Sequence, residues 1–283
     1  MMKPVFYSPS PKCSPLVTRY IFLKYDKDDQ IFYDKYIPDG HTSFVFHFEE
    51  NFYYKENGKK KTLPRFFITD LLSHSLEMEV HPPCDSMIII CNSSVFSRVF
   101  NLELTNPNEV PYKIIDPFKG ISMYENLAIT KTDKEKIKVF EDYLIKNVMP
   151  EVYEPDEIDL IYEKIISQNG NSTIAEILEE INLNHRTLRR LFLKRIGISM
   201  KKLLGIIRVN YVWNYSRKAA EFEPHNITFN CRYFDQSHFI NDFKKIIGET
   251  PRSFFKRNLE LVEIFSGRKP ESRTAVPNFF PNE

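Results

Sequence analysis

The chain has 283 residues, of which 42% are hydrophobic and 14% aromatic, and its formal net charge is +1. These apolar side chains suffice for folded cores, which excludes a globally disordered chain. No apolar run approaches the roughly 18 residues that a membrane helix needs, and the N-terminus lacks the apolar core of a secretory signal, so we expect a cytoplasmic protein with no membrane partner.

The charges are unevenly distributed along the chain. Residues 171–257 hold 16 Lys and Arg against 8 Asp and Glu, whereas residues 1–170 hold 20 against 26. A basic segment joined to an acidic one predicts two domains, of which the basic one binds a polyanion. The four cysteines lack paired spacing, which favours a reducing compartment over a disulfide scaffold or zinc ribbon.

Short runs of β-branched and aromatic residues dominate the first third of the chain. They lie at 16–23, 31–37, 43–48, 52–54, 65–69, 76–80 and 87–91, and Asp-Gly, Asn-Gly and Pro-Pro turns fall between them. This pattern predicts an antiparallel β-domain, a barrel or sandwich of the cupin-like kind. The lysines at 59–61 follow Asn-Gly and are expected at an exposed hairpin tip.

The apolar period becomes helical after Asn92. Val95, Phe96 and Val99 predict a helix that Ser93 or Ser94 caps. A longer helix is expected over 133–147, and the prolines at 150 and 155 mark a linker. We therefore place a β-rich sensing or dimerisation domain at 1–150.

The pattern beyond residue 156 is helical throughout. After a first helix with buried positions from Ile158 to Ile166, a short helix capped by Ser172 is followed by a turn and a helix from His185 to Arg195. Leu188, Leu191 and Phe192 are its expected buried positions. Two short helices joined by about three residues predict a helix-turn-helix, whose second helix can enter a major groove.

A second copy of this pattern follows. A short helix near Ile227 and a turn near Arg232 precede a helix over 235–247, which Asp235 is expected to cap and which buries Phe239 and Phe243. Residues 200–216 between the copies predict one long linker helix. Adjacent major grooves on one face of DNA lie about 34 Å apart, so two units held by a rigid helix could read both.

These residues resemble the AraC/XylS family of transcription regulators. The resemblance rests on Leu188-Arg-Arg-Leu-Phe192, Gly197, Arg208, Tyr233-Phe-Asp-Gln-Ser-His-Phe239, Phe243-Lys-Lys245 and Gly248-Glu-Thr-Pro251, and covers roughly 158–257. It implies an α+β chain: an N-terminal β-rich domain and, at 151–258, an all-α domain with two helix-turn-helix units joined by a linker helix. The remaining residues, 259–283, are expected to be a disordered tail.

The resemblance also implies which side chains meet DNA. Helices 185–195 and 235–245 would enter adjacent major grooves. The implied base-contacting residues are Arg186, Arg189, Arg190, Gln236, Ser237, Ile240 and Asn241. The implied phosphate-contacting residues are Lys194, Arg195, Lys201, Lys202, His238, Lys244, Lys245, Arg252 and Lys256.

Two departures from the family pattern keep an alternative open. Arg232 occupies a turn position where the family usually has glycine, and Asn241 replaces a common arginine. The second helix could then only brace the first. In the alternative, a degenerate helical domain contacts a protein partner while the β-domain binds a small molecule. Double-stranded DNA is the main expected partner; a small-molecule effector, RNA polymerase and a second copy of the chain, through helix 133–147, are further candidates.

Other chemistry finds little support in the sequence. His41, His47, His74 and His81 lack metal-site spacing, and no nucleophile or phosphate-loop motif occurs, so we expect no metal, no cofactor and no catalytic residue. The aromatic stretch 44–54, with Phe66 and Phe67, could line a small-molecule pocket or simply pack in the core. The expected function is sequence-specific DNA binding in bacterial transcription regulation.

Overall fold

The fold is described from a computed structural model. It describes residues 4–255 except 50, 51, 57, 70, 105–111, 119, 180, 182, 183, 217–232 and 234. The expected first helix of the second unit, Arg232, Lys256 and the tail 259–283 therefore lie outside the described residues, as do the side chains of 213–216 and 255.

Ten strands form two antiparallel sheets in the N-terminal part. Their bounds are β1 Val5–Tyr7, β2 Val17–Tyr25, β3 Phe32–Tyr36, β4 Thr42–His47, β5 Phe52–Glu56, β6 Lys59–Thr62, β7 Phe66–Thr69, β8 Leu76–Val80, β9 Cys84–Cys91 and β10 Tyr112–Lys113. The larger sheet has the order β1-β2-β9-β4-β7-β10 and the smaller one β3-β8-β5-β6. The expected β-rich domain is confirmed.

The seven expected runs all form strands, and three strands escaped prediction. β6 consists of Lys-Lys-Lys-Thr and is exposed along its length, so it carries no apolar signal. It pairs with β5 at an edge of the smaller sheet, where lysines discourage pairing with other chains. The lysines expected at a hairpin tip thus lie in the strand that follows the turn at Gly58. β1 and β10 are too short to give a pattern.

Three helices pack against the larger sheet: α1 Ser93–Phe100, α2 Met123–Ala128 and α3 Asp133–Asn147. The predicted bounds of α3 are confirmed, and Thr132 and Glu135 form a capping box at its start. The predicted cap of α1 was wrong. Asn92 caps that helix, because its side chain accepts hydrogen bonds from the amides of Ser94 and Val95, while both serines are buried.

The C-terminal part is helical: α4 Glu157–Ser167, α5 Ile174–Leu178, α6 His185–Ile196, α7 Met200–Ser216, α8 Gln236–Ile247 and α9 Pro251–Phe255. Two predicted details were wrong. Thr173 rather than Ser172 caps α5, because its hydroxyl accepts from the Glu176 amide in a capping box. Leu191 is 39% exposed, since Leu188, Phe192 and Ile196 already fill the buried side of α6.

The two parts share a close interface. Ile37 and Leu71 of the β-domain belong to the hydrophobic core of the helical part. The Tyr162 hydroxyl donates to the Gly40 carbonyl at 2.7 Å, and the Asn210 amide donates to the Pro38 carbonyl at 2.6 Å. The helical part therefore rests on the turn between β3 and β4. Across the described ranges, no helix combines the length and apolarity needed to cross a membrane.

Candidate nucleic-acid interface

Helix α6 is fixed at both ends. Asn184 caps its start by accepting from the amides of Arg186 and Thr187. Gly197 ends it with φ of 86°, and a Cβ at this position would lie 2.3 Å from the Leu104 carbonyl oxygen of the β-domain. Left-handed geometry and close packing both require glycine here. The helix is thereby held rigidly against the N-terminal part.

The exposed face of α6 carries three arginines. Arg186, Arg189 and Arg190 are all exposed, whereas Leu188 and Phe192 on the other side are fully buried. Within the described part of the chain, none of the three guanidinium groups has a hydrogen-bond or ion-pair partner. The structure thus brings the three predicted base-contacting arginines together on one accessible face.

The C-terminal end of α6 is instead tied to neighbouring acidic groups. The Arg195 guanidinium donates to both carboxylate oxygens of Asp156, at 2.6 and 2.7 Å. Burial would raise the pKa of Asp156, but hydrogen bonds from Arg195 and from the Asp159 amide hold it below its usual value. Lys194 pairs with Glu103 at 2.8 Å, where both side chains are largely exposed. These two predicted phosphate contacts already have protein partners.

The same acidic cluster joins α6 to the β-domain. Asp159 is 2% exposed, and its carboxylate accepts from Ser94 at 2.5 Å, from Tyr153 at 2.7 Å and from Arg98 of α1 at 3.0 Å. Arg195 lies 3.6 Å from this carboxylate. A buried carboxylate shared between two arginines fixes α1, α4 and α6 relative to one another, because each lost partner would leave a buried charge unpaired.

Helix α8 carries the second set of predicted base contacts. Asp235 caps it by accepting from the His238 amide at 2.7 Å, as predicted. Gln236, Ser237 and Asn241 are exposed, whereas Ile240 is half-buried against the helical core. The position of Ile240 gives it less surface for a base contact than the three polar residues have.

The C-terminal end of α8 is held by the β-domain. Ser75, between β7 and β8, donates its amide to the Ile246 carbonyl at 2.8 Å and its hydroxyl to the Ile247 carbonyl at 2.6 Å. Lys35 of β3 donates to the Ile247 carbonyl at 3.0 Å and pairs with Glu249 at 2.7 Å. These contacts, here called the α8 latch, satisfy the last carbonyls of the helix. The sequence does not predict them, because their partners lie far apart along the chain: Ser75 and Ile247 are separated by 172 residues, and Lys35 and Ile247 by 212.

A wide groove collects several of the predicted phosphate contacts. It has a volume of about 1050 Å³, and Lys201, Lys202, His238 and Lys245 line it together with His74 of the β-domain. His238 also lies 3.7 Å from the Asp242 carboxylate. Lys244 and Arg252 do not line the groove but are exposed. The lysines in and beside the groove form a basic surface that extends from α7 to α8.

Arg208, one of the residues that carried the family resemblance, has a structural role. Its guanidinium donates from Nε and Nη2 to the Gly170 carbonyl, at 3.1 and 2.9 Å, and stacks over the Tyr233 ring at 5.2 Å. Tyr233 in turn contacts His238 and Phe239 of α8. Arg208 therefore links α7 to the start of α8.

The aromatic residues of the stretch 44–54, together with Phe66 and Phe67, divide between the hydrophobic core and a cavity. Phe44, Phe46 and Phe66 pack with Phe118 and other rings in the core. Phe52 and Phe67, by contrast, line a separate cavity between the two sheets. The described residues contain no group of three or more His, Cys, Asp or Glu able to hold a metal ion.

Comparison with solved structures finds distant similarities. ToxT from Vibrio cholerae is 14% identical, with 90% of this chain and 97% of ToxT covered at a TM-score of 0.43. A structure of ToxT with a bound unsaturated fatty acid is 16% identical, with 83% and 94% covered and a TM-score of 0.42. The AraC-like transcriptional activator CuxR is 12% identical, with 76% and 88% covered and a TM-score of 0.26.

Family models match each of the two parts of the chain. No significant match is found among curated proteins. Residues 5–109 match a domain of unknown function (DUF6597). Residues 177–257 match a helix-turn-helix domain, and this span includes both α6 and α8. The chain thus carries a C-terminal helix-turn-helix domain behind its N-terminal β-rich domain.

Proposed function

We propose that the chain is a transcription regulator that binds DNA sequence-specifically, inserting helices 185–195 and 235–245 into adjacent major grooves. The observation that carries this proposal is the exposed face of α6, where Arg186, Arg189 and Arg190 have no partner in the described part of the chain. An arginine can bridge O6 and N7 of guanine with two hydrogen bonds. Gln236 and Asn241 on α8 can pair with adenine edges in the same way.

The basic groove supports phosphate binding between the two helices. Lys201 and Lys202 lie in the first turn of α7, where the positive end of the helix dipole disfavours cations by about 0.3–1 kcal/mol each. Their position therefore does not serve helix stability, whereas a polyanion in the groove would neutralise both charges. The assignments of Lys194, Arg195, Lys244, His238, Lys256 and Arg252 to phosphates stay predictions.

We further propose that the β-domain senses a small molecule and that the chain performs no catalysis. The cavity between the sheets is the feature that supports sensing. Contacts with RNA polymerase and with a second copy of the chain belong to the same regulatory role and stay predictions. A regulator that reads a bacterial chromosome would act in the cytoplasm.

The decisive experiment selects bound duplexes from a random DNA pool with the full-length protein. An enriched motif with two half-sites about one helical turn apart supports reading by both helices. A single enriched half-site means that α8 only braces α6. Binding without any enriched motif contradicts sequence-specific reading, and the interaction protein described above then becomes the better account.

A further inference from the structure

Among the described residues, a buried ring nitrogen without a hydrogen-bond partner belongs to a residue that lines the cavity between the two sheets. His47 of β4 is fully enclosed, and its Nδ1 lies 2.8 Å from the Ser86 hydroxyl. Its Nε2 is buried and makes no hydrogen bond within the described residues. Ser86 is not a lining residue of the cavity, whereas His47 is. His47 therefore borders the cavity with one ring nitrogen, Nε2, to which no described residue is hydrogen-bonded.

The imidazole is uncharged at neutral pH. Burial lowers the pKa of His47 to about 3. The Phe52 ring stacks on it with a centroid separation of 3.8 Å, and Phe67 packs at 5.6 Å. A buried Nε2 without a partner is costly, because the atom has lost its hydrogen bond to water and has gained none in the protein. A ligand that supplies the missing bond would recover this loss.

The walls define the rest of the ligand. Leu23, Val45, Leu63, Met78, Val80 and Ile88 supply most of the remaining surface. No charged side chain lines the cavity in the part of the chain that the structure describes. An ionised carboxylate or ammonium would lose its hydration here without a counter-charge. An uncharged molecule that is mostly hydrocarbon therefore suits this cavity.

The size of the cavity sets the size of the ligand. The cavity measures about 70 Å³. One water needs about 10–15 Å³ on this scale, so the space suits roughly five non-hydrogen atoms. A hydroxyl group can donate to Nε2 or accept from it, so it fits either tautomer of the imidazole.

We propose that this cavity is a binding site for a small, uncharged aliphatic alcohol, whose hydroxyl bonds to Nε2 of His47. The proposal rests on the sensing role proposed above and names its ligand class. The walls also connect the site to the DNA-reading part, since Tyr36 and Leu76 line the cavity beside Lys35 and Ser75 of the α8 latch. An alcohol in the cavity contacts the strands that hold the end of α8.

Three probes of similar size test this proposal on the full-length protein without DNA. They are n-butanol, 1-chlorobutane, which has no hydroxyl, and butyrate, which is charged. Each is titrated while the imidazole ¹⁵N resonances are followed by NMR. We expect n-butanol to shift the His47 Nε2 resonance saturably, with a Kd on the order of 1 mM, and butyrate to leave it unchanged. Because DNA is absent, failure here is distinguishable from failure of DNA reading.

A variant separates the hydrogen bond from hydrophobic filling. In His47→Leu, where binding is followed by the backbone amide resonances of the residues that line the cavity, n-butanol affinity should fall about tenfold relative to 1-chlorobutane affinity, as expected for one lost hydrogen bond. His81→Leu, which removes an imidazole that does not line the cavity, should keep the wild-type ratio. If His47→Leu does not fold, the titration of the wild-type resonance decides. An unshifted resonance, equal binding of butyrate, or an unchanged affinity ratio in His47→Leu overturns the proposal.

Discussion

The arginines of α6 differ in what their guanidinium groups contact. Arg195 is held by Asp156 through two hydrogen bonds, whereas Arg189 is exposed and has no protein partner among the described residues. Arg195 can therefore stabilise the fold, and Arg189 can bind a ligand. A bidentate contact depends on the planar guanidinium and not only on its charge.

The first prediction separates the charge of Arg189 from its geometry. In Arg189→Lys, binding to random DNA should stay near wild type, but discrimination at one base pair should fall by about 1–3 kcal/mol, because lysine cannot bridge guanine in the same way. Arg189→Ala should weaken both the binding to random DNA and the discrimination at this base pair. Competition binding with single-base variants of the selected site measures this. Full selectivity retained in Arg189→Lys would contradict direct base reading by this residue.

His47 makes the stability of the β-domain depend on pH. Its pKa falls from 6.5 to about 3 on burial, so between these values the unfolded chain binds a proton that the folded chain does not. The contribution of His47 to the free energy of unfolding should therefore be at its full value above pH 6.5. At lower pH, this group should lower the free energy of unfolding by about 1.4 kcal/mol per pH unit. Urea unfolding at pH 7, 6 and 5 measures the slope. His47→Leu should show a smaller slope; an equal slope would rule out His47 as its source.

At the scale of elements, both proposed recognition helices end on the β-domain. Gly197 at the end of α6 touches the Leu104 carbonyl, and the last carbonyls of α8 accept from Ser75 and Lys35. The N-terminal part therefore fixes the directions of two helices that belong to different units. Their relative position depends on these contacts as well as on the linker helix α7.

Gly197→Ala tests the close approach at the end of α6. The variant meets both a left-handed backbone, which costs about 1–2 kcal/mol, and a carbonyl oxygen 2.3 Å from the new Cβ. Gly58→Ala is a matched control, since its φ is 74° and no described atom lies within 4 Å of the added Cβ. Gly197→Ala should lower Tm clearly more than Gly58→Ala. Equal decreases in Tm would mean that the end of α6 does not pack closely against the β-domain.

Lys35→Met tests the α8 latch. The variant removes two hydrogen bonds from a nearly buried ammonium, so the free energy of unfolding should fall by about 1.5–3 kcal/mol. Amide exchange in the last turn of α8 should accelerate, while that of α3 should not. Lys55→Met removes a more exposed pair with Glu77, at 3.7 Å, and should change stability by about 0–1 kcal/mol. Unchanged exchange in α8 would show that the latch does not hold the helix.

At the scale of the whole molecule, the charge that suits DNA is confined to one part. Residues 171–257 carry twice as many basic as acidic residues, and the structure places Lys201, Lys202 and Lys245 around one groove. The acidic residues of the N-terminal part nearly balance the total charge. Electrostatic attraction to DNA is therefore restricted to the basic part of the chain. The net charge of the whole chain is too small to add much non-specific attraction.

The salt dependence of binding measures this local attraction. Each neutralised phosphate contributes about −0.9 to the slope of log affinity against log salt concentration. Lys201→Gln and Lys245→Gln should each make the slope shallower by about 0.9 without changing the preferred sequence. Lys138→Gln, on the exposed face of α3, is the control and should leave it unchanged. A slope unaffected by both groove variants would remove the groove from the DNA interface.

The elements that could be predicted are those whose signal is local. Helices α3 and α7 were placed from apolar periodicity, and Asp235 was recognised as a cap because its partner is three residues away. The predicted cap of α1, Ser93 or Ser94, is one or two residues from the observed cap Asn92, since several residues in a row can cap a helix and only burial decides among them. Strand β6 was missed because an exposed lysine strand has no apolar alternation.

The sequence by itself determined the two-part organisation, the basic helical segment and the arginines of α6, because periodicity and charge are properties of neighbouring residues. Only the tertiary structure decided that Arg195 is bound by Asp156, that Lys35 and Ser75 hold α8, and that Nε2 of His47 is left without a partner beside a cavity. These features depend on residues brought together from distant parts of the chain. Their contacts arise from packing, which leaves no local pattern in the sequence.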